Sequence, residues 1–182
     1  MKKPYLLLLA IFIAFSSCEK DDICDPAKPT TPRLIIEFYD LENPSVLKNL
    51  RNLTVKGPDM EEQVIFGKNA AGEPIYISNA NKIAIPLRAL EDNTQLEFTL
   101  NSTDPNLAVT DILDFNYSRT TEYVSRACGF KTTFRLNPTS NALDPVVING
   151  DDSLNKGNWI QNIEIVQSNI NTENDVHLKI LF

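Results

Sequence analysis

The chain has a single histidine, His177, among 182 residues. A serine hydrolase triad needs a histidine beside a nucleophile and an orienting acid. No nucleophile-elbow pattern frames Ser125, the serine considered for that role. Once Cys18 is set aside, one histidine and two cysteines that are expected to pair with each other leave too few soft ligands for a zinc site. We therefore predict no catalytic residue, no metal and no cofactor, and we expect His177 to be exposed on the last strand.

A cluster of basic residues is also missing, since 17 Lys and Arg face 24 Asp and Glu and the formal net charge is −7. An acidic chain is repelled by phosphate backbones. The sequence also lacks a glycine-rich phosphate-binding loop. These absences predict that nucleic acid is not a partner.

No apolar run is long enough to cross a bilayer, which needs about 20 apolar residues. The longest run, residues 6–15, follows Lys2 and Lys3 and precedes Ser16 and Ser17. A cationic start, a short apolar block and small residues are typical of a secretory signal peptide.

Cys18 directly follows those small residues, and this arrangement resembles a bacterial lipoprotein signal. The resemblance implies that Cys18 becomes the acylated N-terminus, and two or more acyl chains hold a protein stably on a membrane. Removal of Lys2 and Lys3 would change the formal charge from −7 to −9. The alternative is an ordinary secretory signal with an accidental cysteine.

The predicted organisation is a signal peptide at 1–17, an acidic, proline-rich tether at 18–32 and one β-domain at 33–182. Residues 19–22, Glu-Lys-Asp-Asp, resemble the export tag of surface lipoproteins in Bacteroidota, although a solvated linker explains them equally well. We expect a lipid-anchored protein of the outer membrane, on its periplasmic face or on the cell surface.

Cys24 and Cys128 are the two cysteines left after Cys18. Two thiols in an exported chain imply one disulfide, because exported compartments are oxidising. Two buried or redox-active thiols are the alternative.

Short runs of β-branched and aromatic residues recur along the chain, separated by Asn, Asp, Gly and Pro clusters. This pattern predicts an all-β fold, an antiparallel β-sandwich of the Ig-like kind or a related barrel. One weak helix is predicted at residues 45–51. The predicted strands occupy residues 33–40, 53–56, 64–66, 74–77, 82–87, 95–100, 111–117, 122–125, 130–136, 159–166 and 176–182.

Residues 149–158 are rich in oxygen ligands, but they fail the register of an EF-hand, because Lys156 replaces the glycine and Asn162 the bidentate Glu. A polar hairpin loop is the better interpretation. Asp152-Ser153-Leu154 also resembles a Bacteroidota O-glycosylation site, which makes Ser153 a candidate for modification.

Several aromatic residues could form either a carbohydrate-binding platform or part of the core, and core is the commoner outcome for such a set. Residues 117–130 also carry three charged side chains, Arg119, Glu122 and Arg126, that could pair across a hairpin. Gly129 there permits a bulge or a close backbone approach. The aromatic residues are Phe115, Tyr117, Tyr123, Phe130, Phe134 and Trp159.

Five segments together resemble an uncharacterised Bacteroidota lipoprotein family, the family of unknown function numbered 6452. They are Cys-Glu-Lys-Asp-Asp-Ile-Cys at 18–24, Thr-Thr-Pro-Arg-Leu-Ile-Ile-Glu-Phe-Tyr-Asp at 30–40, Ile-Ala-Ile-Pro-Leu at 83–87, Val-Ser-Arg-Ala-Cys-Gly-Phe at 124–130 and His-Leu-Lys-Ile-Leu-Phe at 177–182. The resemblance supports the Cys24–Cys128 pairing and implies no activity or ligand.

The leading functional hypothesis is a non-catalytic, lipid-anchored binding or envelope-assembly module whose partners are the membrane and an envelope protein or a glycan. The competing hypothesis is a hydrolase of glycans or peptides that works through two carboxylates. A carboxylate pair about 5–9 Å apart in an open cleft would favour the hydrolase.

Overall fold

A computed structural model describes Cys24 and residues 31–138, 143–150 and 157–182. All the regular structure in these residues is β-strand. In the described part of the chain, no helix is long and apolar enough to span a membrane. The strands are β1 (Leu34–Tyr39), β2 (Thr54–Lys56), β3 (Gly67–Lys68), β4 (Pro74–Ile75), β5 (Lys82–Ile85), β6 (Asn93–Leu100), β7 (Val109–Ser125), β8 (Gly129–Leu136), β9 (Val146–Ile148), β10 (Asn162–Ile165), β11 (Asn169–Ile170) and β12 (Leu178–Leu181).

The first sheet has the order β10-β12-β1-β5. Its two central strands, β1 and β12, are parallel, with Ile36 opposite Leu178 and Phe38 opposite Ile180. The outer pairs, β1 with β5 and β10 with β12, are antiparallel. Pairing of β1 with β12 therefore joins the beginning and the end of the domain at the centre of this sheet.

The second sheet has the order β11-β8-β7-β6-β2, with β9 also paired to β7. The long strand β7 pairs with β6 over Val109 to Asn116 and with β8 over Tyr117 to Ser125. A separate small hairpin consists of β3 and β4. β7 is thus the central strand of this sheet: it is hydrogen-bonded to β6, β8 and β9, whereas β2 and β11 join through β6 and β8.

One hydrophobic cluster includes buried side chains from both sheets, so the architecture is a β-sandwich and not a closed barrel. Leu34, Ile36 and Phe38 project from alternate positions of β1 and are fully buried. Trp159 links the layers, because its ring stacks on Phe38 at 6.3 Å and its indole N–H donates to the carbonyl of Phe98 at 3.0 Å.

The predicted all-β sandwich is confirmed, with differences in particular elements. The predicted strands 111–117 and 122–125 are one strand, β7, because residues 118–121 continue the pairing with β8. The helix predicted at 45–51 is wrong: these residues form a turn and an isolated bridge from Leu47 to Tyr39. Residues 64–66 are not a strand, and the short β9 and β11 were not predicted.

The expectation that His177 is exposed is also wrong, because its side chain is completely buried. It lies just before β12, where its backbone N–H donates to the carbonyl of Ile35 and its Nδ1 accepts the N–H of Ile35 at 2.9 Å. The side chain thus extends the β1–β12 ladder by one step. The alternating pattern misled because the alternation of β12 begins only at Leu178.

Burial lowers the pKa of His177, and the nearby Asp175 and Glu173 oppose that shift only in part. Since Nδ1 accepts a hydrogen bond, the neutral ring carries its proton on Nε2. Among the described residues, Nε2 has no hydrogen-bond partner. The buried ring is therefore held in its neutral form.

This histidine predicts a pH-dependent stability. Below about pH 6.5 the unfolded chain binds a proton that the folded state binds less readily, so the free energy of unfolding falls as pH drops. The contribution is at most about 1.4 kcal/mol per pH unit, because one proton is involved. Urea unfolding at roughly pH 7.5 and 5.5 should show a weaker pH dependence for His177→Gln than for the parent.

His177 is the only histidine, so the variant removes the one side chain with an ordinary pKa near that range. The hydrogen bond from Arg33 lowers the pKa of the neighbouring Glu173 below its usual 4.5. Glu173 therefore stays charged between roughly pH 5.5 and 7.5 and does not contribute to the difference between the parent and the variant. Equal pH dependence in the parent and the variant would contradict the assignment.

Candidate functional site

The β7–β8 hairpin is the most distinctive surface feature of the described chain. Its residues nearest the core, Tyr117 and Phe134, are each 2% exposed and contact each other edge-to-face at 5.2 Å. Farther along the same hairpin face, Tyr123 and Phe130 are directly opposite and form a second such pair at 5.4 Å. These two are 59% and 68% exposed, so the core-facing side of the hairpin continues beyond the core.

The tip of the hairpin is a turn at residues 126–128, followed by Gly129 with φ +67°. The Ser125 hydroxyl accepts the N–H of Cys128, and a bulge lies between Tyr123 and Ser125. A left-handed backbone suits glycine, which carries no Cβ. Tyr123 and Phe130 lie on the two strands that this turn connects.

The disulfide Cys24–Cys128 joins the hairpin tip to the N-terminal segment, with a Cα–Cα distance of 4.8 Å across 104 positions of sequence. Thr31 supports the same attachment, since its hydroxyl accepts the N–H of Thr132 on β8. The pairing predicted from the sequence is therefore present. Cys18, the predicted lipidation site, lies outside the described residues.

The charges of the hairpin pair differently from the set considered on sequence. Glu122 lies across from Lys131, with 3.5 Å between their charged atoms. Arg119 donates to Asp92 at 2.6 Å instead of to Glu122. The cross-strand register selects Lys131, which sequence spacing alone did not reveal.

Asp111 on β7 is a completely buried carboxylate. It accepts the side-chain amide of Asn149 at 2.8 Å and the backbone N–H groups of Asn158, Trp159 and Ile160 at 2.6–2.9 Å. Gly157 covers it so closely that a Cβ there would overlap the carboxylate. Asp111 thus fixes both described ends of the polar loop to the sandwich.

The described ends of the polar loop at residues 149–158 are therefore held by a structural acid on β7 that the sequence did not single out. Side chains alternate between the two faces of a strand, so Asp111 lies on the same face of β7 as Leu113, Phe115 and Tyr117. That alternation is the signal in the sequence that could have identified Asp111 as a core-facing residue. The amide oxygen of Asn149 accepts the N–H of Ile112, so this amide connects loop and strand. Ser153, the candidate glycosylation site, lies outside the described residues.

A cleft of about 450 Å³ lies beside the base of the hairpin and contains two carboxylates, Glu91 and Asp92. Arg88 pairs with Glu91 at 2.9 Å, and Arg119 pairs with Asp92. Burial raises the pKa of the Tyr117 hydroxyl, which donates to the carbonyl of Arg88. The other residues lining the cleft are Asn93, Asn116, Ser118, Asn137 and Leu143.

The six aromatic residues considered on sequence as a binding platform or as core are not all in one environment. Phe115, Tyr117, Phe134 and Trp159 are buried core residues, whereas Tyr123 and Phe130 are exposed. Within the described ranges, no group of three or more His, Cys, Asp or Glu side chains is arranged to hold a metal ion.

Comparison with protein families matches residues 52–182 to a family of unknown function, DUF6452. The match covers most of the chain, so the protein belongs to this family. Cys128 lies inside the matched region and Cys24 lies before it. No curated protein and no solved structure matches the chain.

Loss of the disulfide should destabilise the domain. In a Cys18→Ser parent, which keeps only Cys24 and Cys128, replacing both with serine should lower the free energy of unfolding by about 2–5 kcal/mol, because the unfolded chain gains freedom. Denaturant unfolding measures this loss, and the Cys18→Ser parent controls for cysteine removal. Non-reducing peptide mapping should recover the linked pair, and two free thiols would refute it.

Asp111 should matter far more than an acid elsewhere on the same strand. Asp111→Asn should lower the free energy of unfolding by about 2–4 kcal/mol, because an amide group would leave buried N–H donors without a full set of acceptors. Asp114→Asn is the matched control, since half-buried Asp114 accepts one side-chain bond, from Gln95. Equal losses for the two variants in urea unfolding would contradict this role.

Proposed function

We propose that this protein is a lipid-anchored β-domain of the bacterial cell envelope, acting as a non-catalytic binding or assembly module. In this proposal Cys18 carries the acyl chains and the folded domain stands next to an outer membrane. The partners are the membrane itself and an envelope protein or a glycan.

The Cys24–Cys128 disulfide is the observation that carries the proposal. Disulfides persist in oxidising compartments outside the cytoplasm and are rare within it. The N-terminal pattern that ends at Cys18 supports export independently of the disulfide, because a signal peptide directs a chain out of the cytoplasm whether or not it contains paired cysteines. Together these features support an exported protein held at its N-terminus.

The proposed binding role is supported by the structural roles of the two buried polar side chains that could otherwise take part in catalysis, His177 and Asp111. The only histidine packs against β1, and the buried Asp111 binds backbone N–H groups of the loop. Both groups therefore support the fold. The exposed hairpin and the cleft beside it remain the surfaces best suited to contact a partner.

A hydrolase is the second candidate, because Glu91 and Asp92 share an open cleft. Each carboxylate already has a structural partner, Glu91 in its ion pair with Arg88 and Asp92 in its ion pair with Arg119. Turnover of a glycan or peptide by the parent, abolished in Glu91→Gln or Asp92→Asn and retained in the solvent-exposed Glu61→Gln, would establish this alternative.

Intact-mass analysis of the protein purified from its native membrane tests the proposal. We expect a chain that begins at residue 18 and carries the mass of two or three acyl groups, together with the intact disulfide. An unmodified terminus, at residue 18 or elsewhere, would overturn the lipid anchor. Additional sugar mass on the peptide containing Ser153 would establish its modification.

Orientation is tested separately by protease treatment of intact cells. Loss of the protein from intact cells would place it on the surface, and protection until the outer membrane is opened would place it on the periplasmic face. The same preparation should include a known periplasmic protein as a control for membrane integrity.

A further inference from the structure

The β7–β8 hairpin presents an exposed aromatic pair next to the point where the N-terminal segment is attached. Phe130 is two residues from Cys128, and Cys128 is bonded to Cys24. Tyr123 is directly opposite Phe130 on the paired strand. Any molecule held close to residue 24 is therefore also held close to these two rings.

The chain length between Cys18 and Cys24 limits how far the hairpin can be from the proposed lipid anchor. Six residues reach at most about 20 Å when fully extended. The acyl chains of Cys18 place that residue at the boundary between headgroups and hydrocarbon. The disulfide thus keeps the hairpin tip within roughly that distance of the boundary.

We propose that the Tyr123–Phe130 pair inserts into the interfacial layer of the membrane that holds the acylated Cys18. The inference rests on the proposed lipid anchor and adds an orientation: the hairpin points down to the bilayer and β7 rises away from it. The occupant of this exposed apolar surface is the lipid headgroup region.

The composition of the hairpin suits this location. Aromatic side chains with a polar end, such as tyrosine, concentrate at membrane interfaces, because the ring is apolar and the hydroxyl remains hydrated. Residues 118–136 also carry four basic side chains and a single carboxylate, Glu122, in a chain whose formal charge is −7. Nearest the turn, between residues 122 and 131, Arg126 and Lys131 stand against Glu122, so the tip has a net charge of +1 in an acidic protein, which favours anionic lipid headgroups.

The opposite end of β7 supplies a matched control. Leu107, just before β7, is 60% exposed, close to the exposure of Phe130. β7 has 17 residues and would span roughly 55 Å if fully extended. If the hairpin tip lies at the membrane, Leu107 is far from it.

Depth-dependent fluorescence quenching tests the orientation in the full lipidated protein. Phe130→Trp and Leu107→Trp are reconstituted separately into vesicles of phosphatidylethanolamine and phosphatidylglycerol containing lipids brominated near the headgroup. The parent, with its buried Trp159 alone, gives the background. We expect quenching of Phe130→Trp at least twice that of Leu107→Trp, which should match the parent.

The acyl mass on each sample separates the two possible failures. An acylated protein in which both tryptophans are quenched equally would overturn the orientation and leave the lipid anchor intact. An unacylated chain would overturn the proposed function and, with it, this inference. Stronger quenching of Leu107→Trp than of Phe130→Trp would mean that the opposite end of the domain faces the bilayer.

Removing the disulfide gives an independent test of how the hairpin is held. Adding Cys24→Ser and Cys128→Ser to Phe130→Trp should reduce the quenching toward the Leu107→Trp value, since the shortest attachment of the hairpin to Cys18 then runs through Thr31, 13 residues away instead of six. Unchanged quenching in a variant that still folds by circular dichroism would contradict the role of the disulfide in orientation.

Discussion

The hydrogen bonding of β7 is the constraint on which the rest of the structure depends. Its first half pairs with β6 and β9 within the sandwich, and its second half pairs with β8 in the projecting hairpin. One strand therefore carries core residues such as Phe115, the buried acid Asp111 and the exposed Tyr123. Because a strand keeps its side-chain alternation along its length, the face that forms the core also becomes the face exposed at the tip.

Two connections, one covalent and one made of buried hydrogen bonds, attach the N-terminal segment and the polar loop to β7 and its hairpin. Asp111 binds the ends of the polar loop through backbone N–H groups, and the disulfide binds the N-terminal segment to the hairpin tip. A buried carboxylate is tolerated only when donors surround it. These connections explain how a sandwich with long polar loops maintains a defined surface at the end of its longest strand.

Much of the fold follows from local pattern. The alternation in residues 95–100 and 130–136 predicted β6 and β8 with small errors at their ends, because these strands bury one face and the period of two is clear. The helix at 45–51 was wrong because three apolar residues at helical spacing also fit a turn that buries Leu50 against the core. The strands β9 and β11 have two or three residues each, too few for a periodic signal.

The sequence by itself determined the strand-rich architecture, the N-terminal pattern ending at Cys18 and the availability of two cysteines for one bridge, because composition and spacing along the chain carry that information. Only the tertiary structure decided that His177 is buried, that Asp111 organises a loop and that Tyr123 and Phe130 are exposed beside the disulfide. Burial depends on which segments, distant in sequence, cover a residue. For these residues, the covering segments are set by the parallel pairing of β1 with β12 and by the length of β7 beyond the core.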